Sequence, residues 1–438
     1  MSFANTPAGP SRASRLLSAL RGHRRWWVVA LLFAIALHNN LVRQNLSFLG
    51  PTLQAQFGFG EKEYSYMVAG FLGAYTVGYL FCGRLLDRWG VRIGLAAALA
   101  AWSLVGIAHA FCAGWISLLA CRLVLGFAQS FNSPASVKGV AEWIPAGERG
   151  LSMAIASNGN IIGGVLAAPI VAAVTLRWGW RWGFVLTGVS GLVLLAAWWR
   201  EYDSPEKHPR ITPQERDYLT ASLGRPGPVP APAALTELLR RPVCTGLFIA
   251  RFLTDSITFF FAFWLPSYLV SARGFSLAMI GLIGWIPFLA ADVGGPGGGA
   301  LSDWLVRRGW SAARARLTLM AIAACVMPAA LVAVRTEAAG LALGLIALVL
   351  AAQSCWMANQ LSFISECVER ENVATLLSVS ALGGSAGGMA STLLAGRVIS
   401  QWGYGPVFTV LGFLHLIAFA VLAWCIRAGA SARPASAV

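Results

Sequence analysis

Three arginines stand inside apolar stretches that hold almost no other charge: Arg43, Arg122 and Arg251. A guanidinium is costly in such surroundings and is usually kept where it faces a polar cavity or a partner. Its planar fork can hold a carboxylate through two parallel hydrogen bonds, which a lysine ammonium does not match. Polar side chains sit in apolar runs as well. His38, Asn39 and Asn40 lie within a turn of Arg43, Gln129 lies seven residues after Arg122, and Asn158 and Asn160 share a third run. Tyr75 stands in another, and Gln353, Trp356 and Asn359 are spaced three apart, as on one helical face. A cation for a carboxylate and amides for hydroxyls suit an anionic, hydroxyl-rich ligand. Plainer roles stand beside these. Arg122, about two turns into its run, would then snorkel to a surface, Tyr75 would be a packing aromatic, and the amides would bond helix to helix.

Two carboxylates also fall in apolar runs. Asp255 follows Arg251 by four residues, so the two can pair within one helix, while Asp292 has no charged neighbour in sequence. Each is either a structural group or, if burial raises its pKa, a carrier of protons, with Asp255 the first candidate and Asp292 the second. No Ser/His/Asp, phosphate-loop or metal-ligand constellation is visible. The eight cysteines show no CxxC or Cys/His spacing and read as small apolar residues. The expectation is a protein that is not an enzyme, with no catalytic residues, no metal and no cofactor.

The elements that must position these groups follow from composition. Of 438 residues, 57% are hydrophobic and only 12% charged, roughly half the charge of a soluble globular protein. At about 20 apolar residues per membrane crossing, twelve crossings would use about 240. The predicted spans are 26–50, 64–83, 93–111, 115–137, 150–174, 181–199, 244–270, 276–299, 315–334, 338–360, 373–396 and 404–426. The net charge of +15 reflects basic loops rather than nucleic-acid binding. With both termini cytoplasmic, 24 of the 33 Lys and Arg fall inside and 6 outside, as the positive-inside rule requires. The expected organisation is a basic N-terminal segment 1–25, a six-helix bundle 26–199, a cytoplasmic linker 200–243, a second bundle 244–427 and a tail 428–438. Within the linker, Thr212-Pro213-Gln214-Glu215 has capping-box spacing and predicts a short surface helix.

The halves repeat each other. Trp178-Gly179 recurs as Trp402-Gly403, Glu142 as Glu366 and Gly163-Gly164 as Gly387-Gly388, all 224 residues later. Gly83-x-Leu85-x-Asp87 recurs as Gly299-x-Leu301-x-Asp303 at an offset of 216. The fold class is therefore an all-α polytopic membrane protein, twelve transmembrane helices in two pseudo-symmetric six-helix bundles. Parallel repeats of this kind make a secondary transporter that works by alternating access around a midplane site.

Gly83-Arg84-Leu85-Leu86-Asp87-Arg88-Trp89-Gly90-Val91-Arg92 resembles the GxLxDRxGxR signature of the major facilitator superfamily. The resemblance implies a gating role for Gly83, Asp87, Arg88 and the repeat's Asp303, with Asp87 accepting from helix N-termini or pairing with arginines. Longer strings are similar to the anion:cation symporter family. These are Arg43-Gln44-Asn45-Leu46-Ser47, the stretch from Pro134-Ala135 through Lys138 and Glu142-Trp143 to Glu148-Arg149, and Arg251-Phe252-Leu253-Thr254-Asp255. Trp285-Ile286-Pro287-Phe288-Leu289-Ala290-Ala291-Asp292, with Arg251–Asp255, resembles the hexuronate-transporter branch.

That resemblance implies proton-driven uptake of sugar acids across a bacterial inner membrane, by a monomer held in the lipid bilayer. It assigns substrate contacts to Arg43, Arg122 and Tyr75, and adds Asn40, Gln129, Asn158, Gln353, Trp356 and Asn359 as candidates. Another organic anion (aldonate, aldarate or aromatic acid) and a non-transporting sensor of the same fold are the alternatives. Relatives commonly carry Glu where this chain has Gln129, and many carry Asp where it has Val42. Glutamine cannot take up a proton near neutral pH. Uncoupled import of a monovalent anion against about 100 mV costs about 2.3 kcal/mol, so some coupling or exchange is expected, through a relocated carboxylate.

Overall fold

The computed structural model describes residues 24–145, 148–223, 240–367 and 373–431. Among them there is no strand. The first half runs α1 (Arg24–Phe57), α2 (Glu61–Ala108), a 3-10 turn (His109–Phe111), α3 (Trp115–Gln129), α4 (Asn132–Trp143), α5 (Arg149–Trp178) and α6 (Trp180–Glu201). A short α7 (Pro213–Leu223) follows. The second half comprises α8 (Pro242–Ser271), α9 (Leu277–Ile283), α10 (Ile286–Arg307), α11 (Ala312–Val326) and α12 (Ala329–Arg335), then α13 (Ala339–Cys367), α14 (Val373–Trp402) and α15 (Tyr404–Ser431).

Nine described stretches are long and apolar enough to cross a membrane. One of them, Glu61–Phe111, has 51 residues. At about 1.5 Å per residue that is more than twice the hydrocarbon thickness, so it holds two crossings. Gly90 divides them: its φ of 76° and ψ of 164° suit glycine, and the helix axis breaks there. Adding α3 with α4, and the 30-residue α14, gives the twelve predicted passages.

Three passages predicted as single helices are broken. The passage 115–137 becomes α3 and α4, 276–299 becomes α9 and α10, and 315–334 becomes α11 and α12. Pro134, Pro287 and Pro328 sit at or just after the breaks, where the missing N–H and the ring's clash with a preceding carbonyl favour interruption.

The repeat is visible in both backbone and packing. Gly179 (φ 88°) and Gly403 (φ 73°), 224 residues apart, make the same turn after a tryptophan. In the first half α1 packs on α5, and α2 packs on α3 and α6; in the second, α8 packs on α14, α10 on α13 and α11 on α15. The halves meet where α2 faces α14, α5 faces α9 and α1 faces α8. Tyr64 on α2 donates to the Phe263 carbonyl on α8 at 2.7 Å, and the Tyr404 hydroxyl bonds the Glu61 carboxylate. Gly396 lies so close to Ser65 and the Glu61 carbonyl that a Cβ there would collide. All these contacts lie toward the end where α1 finishes and α2 begins.

Part of the expected linker is docked rather than free. Thr212 Oγ1 accepts from the Glu215 N–H at 3.2 Å, which caps α7 as predicted. The Glu215 carboxylate does not return the bond. It accepts instead from the N–H groups of Arg24 (2.8 Å) and Arg25 (3.2 Å), tying α7 to the start of α1. Tyr202 donates to Glu142 at 2.7 Å and Trp143 to the Asp203 carbonyl at 3.0 Å. Residues 224–239 of the linker, 1–23 of the basic segment and 432–438 of the tail lie outside the described residues.

Candidate functional site

A cavity of about 270 Å³ lies between the halves, just below the ~300–1,000 Å³ common for ligand pockets. Asn40, Arg43 and Gln44 of α1 and Asn160 of α5 line it from one half; Thr258 of α8, Asp292 of α10, and Gln353 and Ser354 of α13 line it from the other. A larger cavity, about 720 Å³, opens beside Arg273 and Tyr404. Of its two arginines, Arg273 already donates to Tyr268 Oη at 2.6 Å and to the Ala333 carbonyl, Arg335 is exposed, and the Glu61 carboxylate lines the same cavity. The central cavity joins both halves around a cation without an ionic partner, and it is the better candidate.

Arg43 is positioned by neighbours that leave its charge unneutralised. Its Nε donates to Gln129 Oε1 at 3.3 Å and its Nη2 to Asn39 Oδ1 at 3.3 Å, and it lies over the rings of Phe71 (5.3 Å) and Tyr75 (5.0 Å). Gln129 is in turn anchored, its amide donating to the Asn39 carbonyl at 3.0 Å. Arg122 sits one layer behind. It is 1% exposed, donates to the Arg43 carbonyl at 3.2 Å, and lies 4.5 Å from the same Phe71 ring. Its Nε and Nη2 have no hydrogen-bond partner. Snorkelling is therefore excluded for Arg122. Among the described residues neither arginine makes an ion pair, so two guanidiniums share a buried region without a counter-charge. Such an arrangement costs stability on its own and is relieved by an anion.

The opposite wall is polar without being cationic. Gln353 donates to the Thr254 carbonyl (3.2 Å) and to Thr258 Oγ1 (2.8 Å), while its own Oε1 has no partner. Asp292 makes no ion pair or hydrogen bond among the described residues. Asp255 differs: Arg251 Nε holds it at 2.7 Å within α8, and it does not line the cavity.

The structure brings Asn40, Arg43, Gln353 and Asp292 to the cavity wall, with Gln129 in contact behind them. Tyr75 touches Arg43 and its hydroxyl lies 3.0 Å from Tyr79's. Trp356 and Asn359 are buried away from the wall: Trp356 donates to Gln360 at 3.0 Å and Asn359 to the Cys355 carbonyl at 2.9 Å. At about 100° per residue, positions 356 and 359 turn about 60° and 120° from Gln353, so three-residue spacing did not put all three on one lining face. Asn158 is exposed, whereas Asn160, two residues on, lines the cavity. Gln44, Phe71, Thr258 and Ser354 escaped the sequence reading. Gln44 adjoins Arg43, and Phe71 stands four residues before Tyr75, signals that were legible; the other two carried none.

At the end opposite the Tyr64 contact, Asp87 pairs with Lys138 at 2.7 Å rather than with an arginine, and Lys138 also donates to the Leu86 carbonyl. Asp303 pairs with Arg316 at 2.7 Å, and Arg316 reaches Glu366 at 3.5 Å. Each pair stays within its own half. Gly83 has open space around it, and Arg88 is exposed.

Comparison with known proteins agrees with this architecture. The D-xylose-proton symporter structure superposes with a TM-score of 0.72 at 17% identity, covering 90% of this chain and 96% of that one. The Escherichia coli (strain K12) protein named Hexuronate transporter is 27% identical across 92% of this chain and 94% of its own. The Escherichia coli (strain K12) protein named Probable galactarate/D-glucarate transporter GarP is 30% identical across 67% of this chain and 70% of its own. The family model described as Major Facilitator Superfamily matches residues 28–379. With twelve passages, a two-fold repeat and an interhalf cavity already in place, the chain belongs to the Major Facilitator Superfamily, in the branch that holds these sugar-acid transporters.

Proposed function

We propose that this protein imports a sugar acid by alternating access, with proton movement on Asp292. The observation that carries the reading is Arg43: an unpaired cation on the wall of an interhalf cavity, held open-handed by Gln129 and Asn39. Its guanidinium takes the substrate carboxylate, and Asn40, Gln44, Asn160 and Gln353 serve the hydroxyls. Arg122 adds positive potential from behind. The relatives' names support a sugar acid as the class.

Gln129 in place of a glutamate leaves Arg43 without an internal counter-ion and removes one proton carrier. Coupling then needs another carboxylate that substrate can sense. Asp292 meets that condition because it lines the cavity unpaired, whereas Asp255 is closed in its bond to Arg251. With both termini cytoplasmic, the contacts through Tyr64, Tyr404 and Gly396 close the outer side, and the present conformation is the one that releases substrate inward. A bacterial inner membrane supplies the proton gradient.

Uptake of radiolabelled galacturonate into proteoliposomes, with and without an imposed inward proton gradient, tests the reading. Uptake that rises with the gradient and is competed by other sugar acids is expected. Binding of sugar acids with no transport would make the protein a sensor, and uptake indifferent to the gradient would remove proton coupling.

A further inference from the structure

The charges on the cavity wall bear on which sugar acids fit, provided that the sugar-acid reading holds. Among the described lining residues Arg43 is the sole cation and Asp292 the sole carboxylate. They come from opposite halves, Arg43 on α1 and Asp292 on α10, with amides, hydroxyls and apolar groups making up the rest of the wall. Asp292 is half-buried and has no bond to any described residue, so its acceptor oxygens are available to a ligand. The second buried arginine, Arg122, is 1% exposed and absent from the wall, so it offers no second cationic seat.

A monoanionic polyhydroxy acid matches this pairing of one cation with one carboxylate. Its carboxylate pairs with Arg43, and hydroxyls at the far end donate to Asp292. An aldarate has a carboxylate at both ends. Once one is seated on Arg43, the other is brought to the wall that carries Asp292, where no described cation meets it. With Asp292 ionised, two like charges at close quarters in a poorly solvated cavity strongly disfavour binding, so an aldarate is left only the protonated form of the site, whereas a monoanion can use either. Specificity then comes from repulsion of the wrong ligand as well as attraction of the right one. We propose that Asp292 sets the charge selectivity of the site, admitting uronates and aldonates and turning away aldarates. The name of the 30%-identical relative, a galactarate/D-glucarate transporter, would then not carry over to this chain.

The test is counterflow in proteoliposomes at neutral pH. Exchange of like for like requires no net proton movement, so a variant impaired in coupling is still read. Labelled galacturonate is competed by glucuronate, galactonate, galactarate and glucarate. In the wild type the two monoanions are expected to compete at least about tenfold more strongly than the two aldarates. Asp292→Asn should narrow that gap to about threefold or less, and Asp292→Glu should preserve it. Asp292→Ser is a second neutral variant, should the asparagine protein be unstable. Equal competition by all four acids in the wild type overturns the proposal, as does a gap unchanged in a neutral variant. Counterflow with none of the acids is a different outcome, and it overturns the sugar-acid reading together with the selectivity built on it.

Discussion

Arg43 and Arg122 are alike in type and differ in task. Arg43 offers its fork to the cavity, so Arg43→Lys keeps the charge and loses the paired hydrogen bonds. Sugar-acid affinity should fall by at least about tenfold, about 1.4 kcal/mol, in a protein that still elutes as a folded monodisperse species. Arg122 carries two unpartnered nitrogens in a nearly solvent-free position. Replacing such a group with an apolar one of similar length removes a desolvation cost. Arg122→Met is therefore expected to leave the thermal midpoint unchanged or higher while weakening substrate binding. A large drop in melting temperature would mean that the guanidinium holds α3 to α1 rather than setting the potential of the site. The carboxylates separate in the same way. Asp292→Asn should abolish gradient-driven uptake and spare counterflow. Asp255→Asn, which frees Arg251 from its bond at 2.7 Å, should instead lower stability. Full gradient-driven uptake in Asp292→Asn would assign the proton elsewhere.

At the level of elements, the fit of helix on helix decides what can move. Gly396 of α14 sits against Ser65 and Glu61 of α2, where added bulk must push the two halves apart. Gly396→Leu should prevent closure at that end and cut turnover by about tenfold or more, because overpacking there has no slack to absorb it. Thiol-reactive probes placed near residue 61 would then label faster, and unchanged labelling would show that the helices slide past the obstruction. The docking of α7 rests on weaker bonds. Thr212→Ala removes a cap worth about 1 kcal/mol, so limited proteolysis within 204–223 should quicken while transport is little affected.

For the whole molecule, the ion pairs divide by half. Asp87–Lys138 and Asp303–Arg316 each brace one bundle, and the Asp87 carboxylate is 78% exposed. Such a surface pair contributes little to the stability of one state, typically about 0–1 kcal/mol, but it orients the kinked stretch of α2 beside Gly90 that must meet the other bundle when that end closes. Asp87→Asn should therefore reduce maximal velocity more than apparent affinity, since it biases a conformational equilibrium rather than the binding site. A collapse of affinity at unchanged maximal rate would contradict this.

Much of the fold was legible in sequence because a bilayer accepts few solutions. Charge-free runs had to be helices, and their number followed from length. The recurrence of Trp178-Gly179 as Trp402-Gly403 announced the repeat that the paired left-handed glycines make. The helix breaks at Pro134, Pro287 and Pro328 were not read from the sequence, because a proline alone does not mark one: Pro51 and Pro169 sit inside unbroken helices. The arginines were legible too, as rare charges in apolar runs. Tertiary structure alone decided the rest. Which side of a membrane helix faces lipid, neighbour or cavity is not set by hydropathy when all three surroundings accept apolar residues. For that reason Asn160 reaches the cavity and Asn158 does not, and Gln353 lines it while Trp356 and Asn359 turn into the bundle. Asp255 and Asp292 divide along the same line: the four-residue spacing from Arg251 already offered Asp255 its salt bridge within α8, whereas only the packing of the halves put Asp292 on the cavity wall.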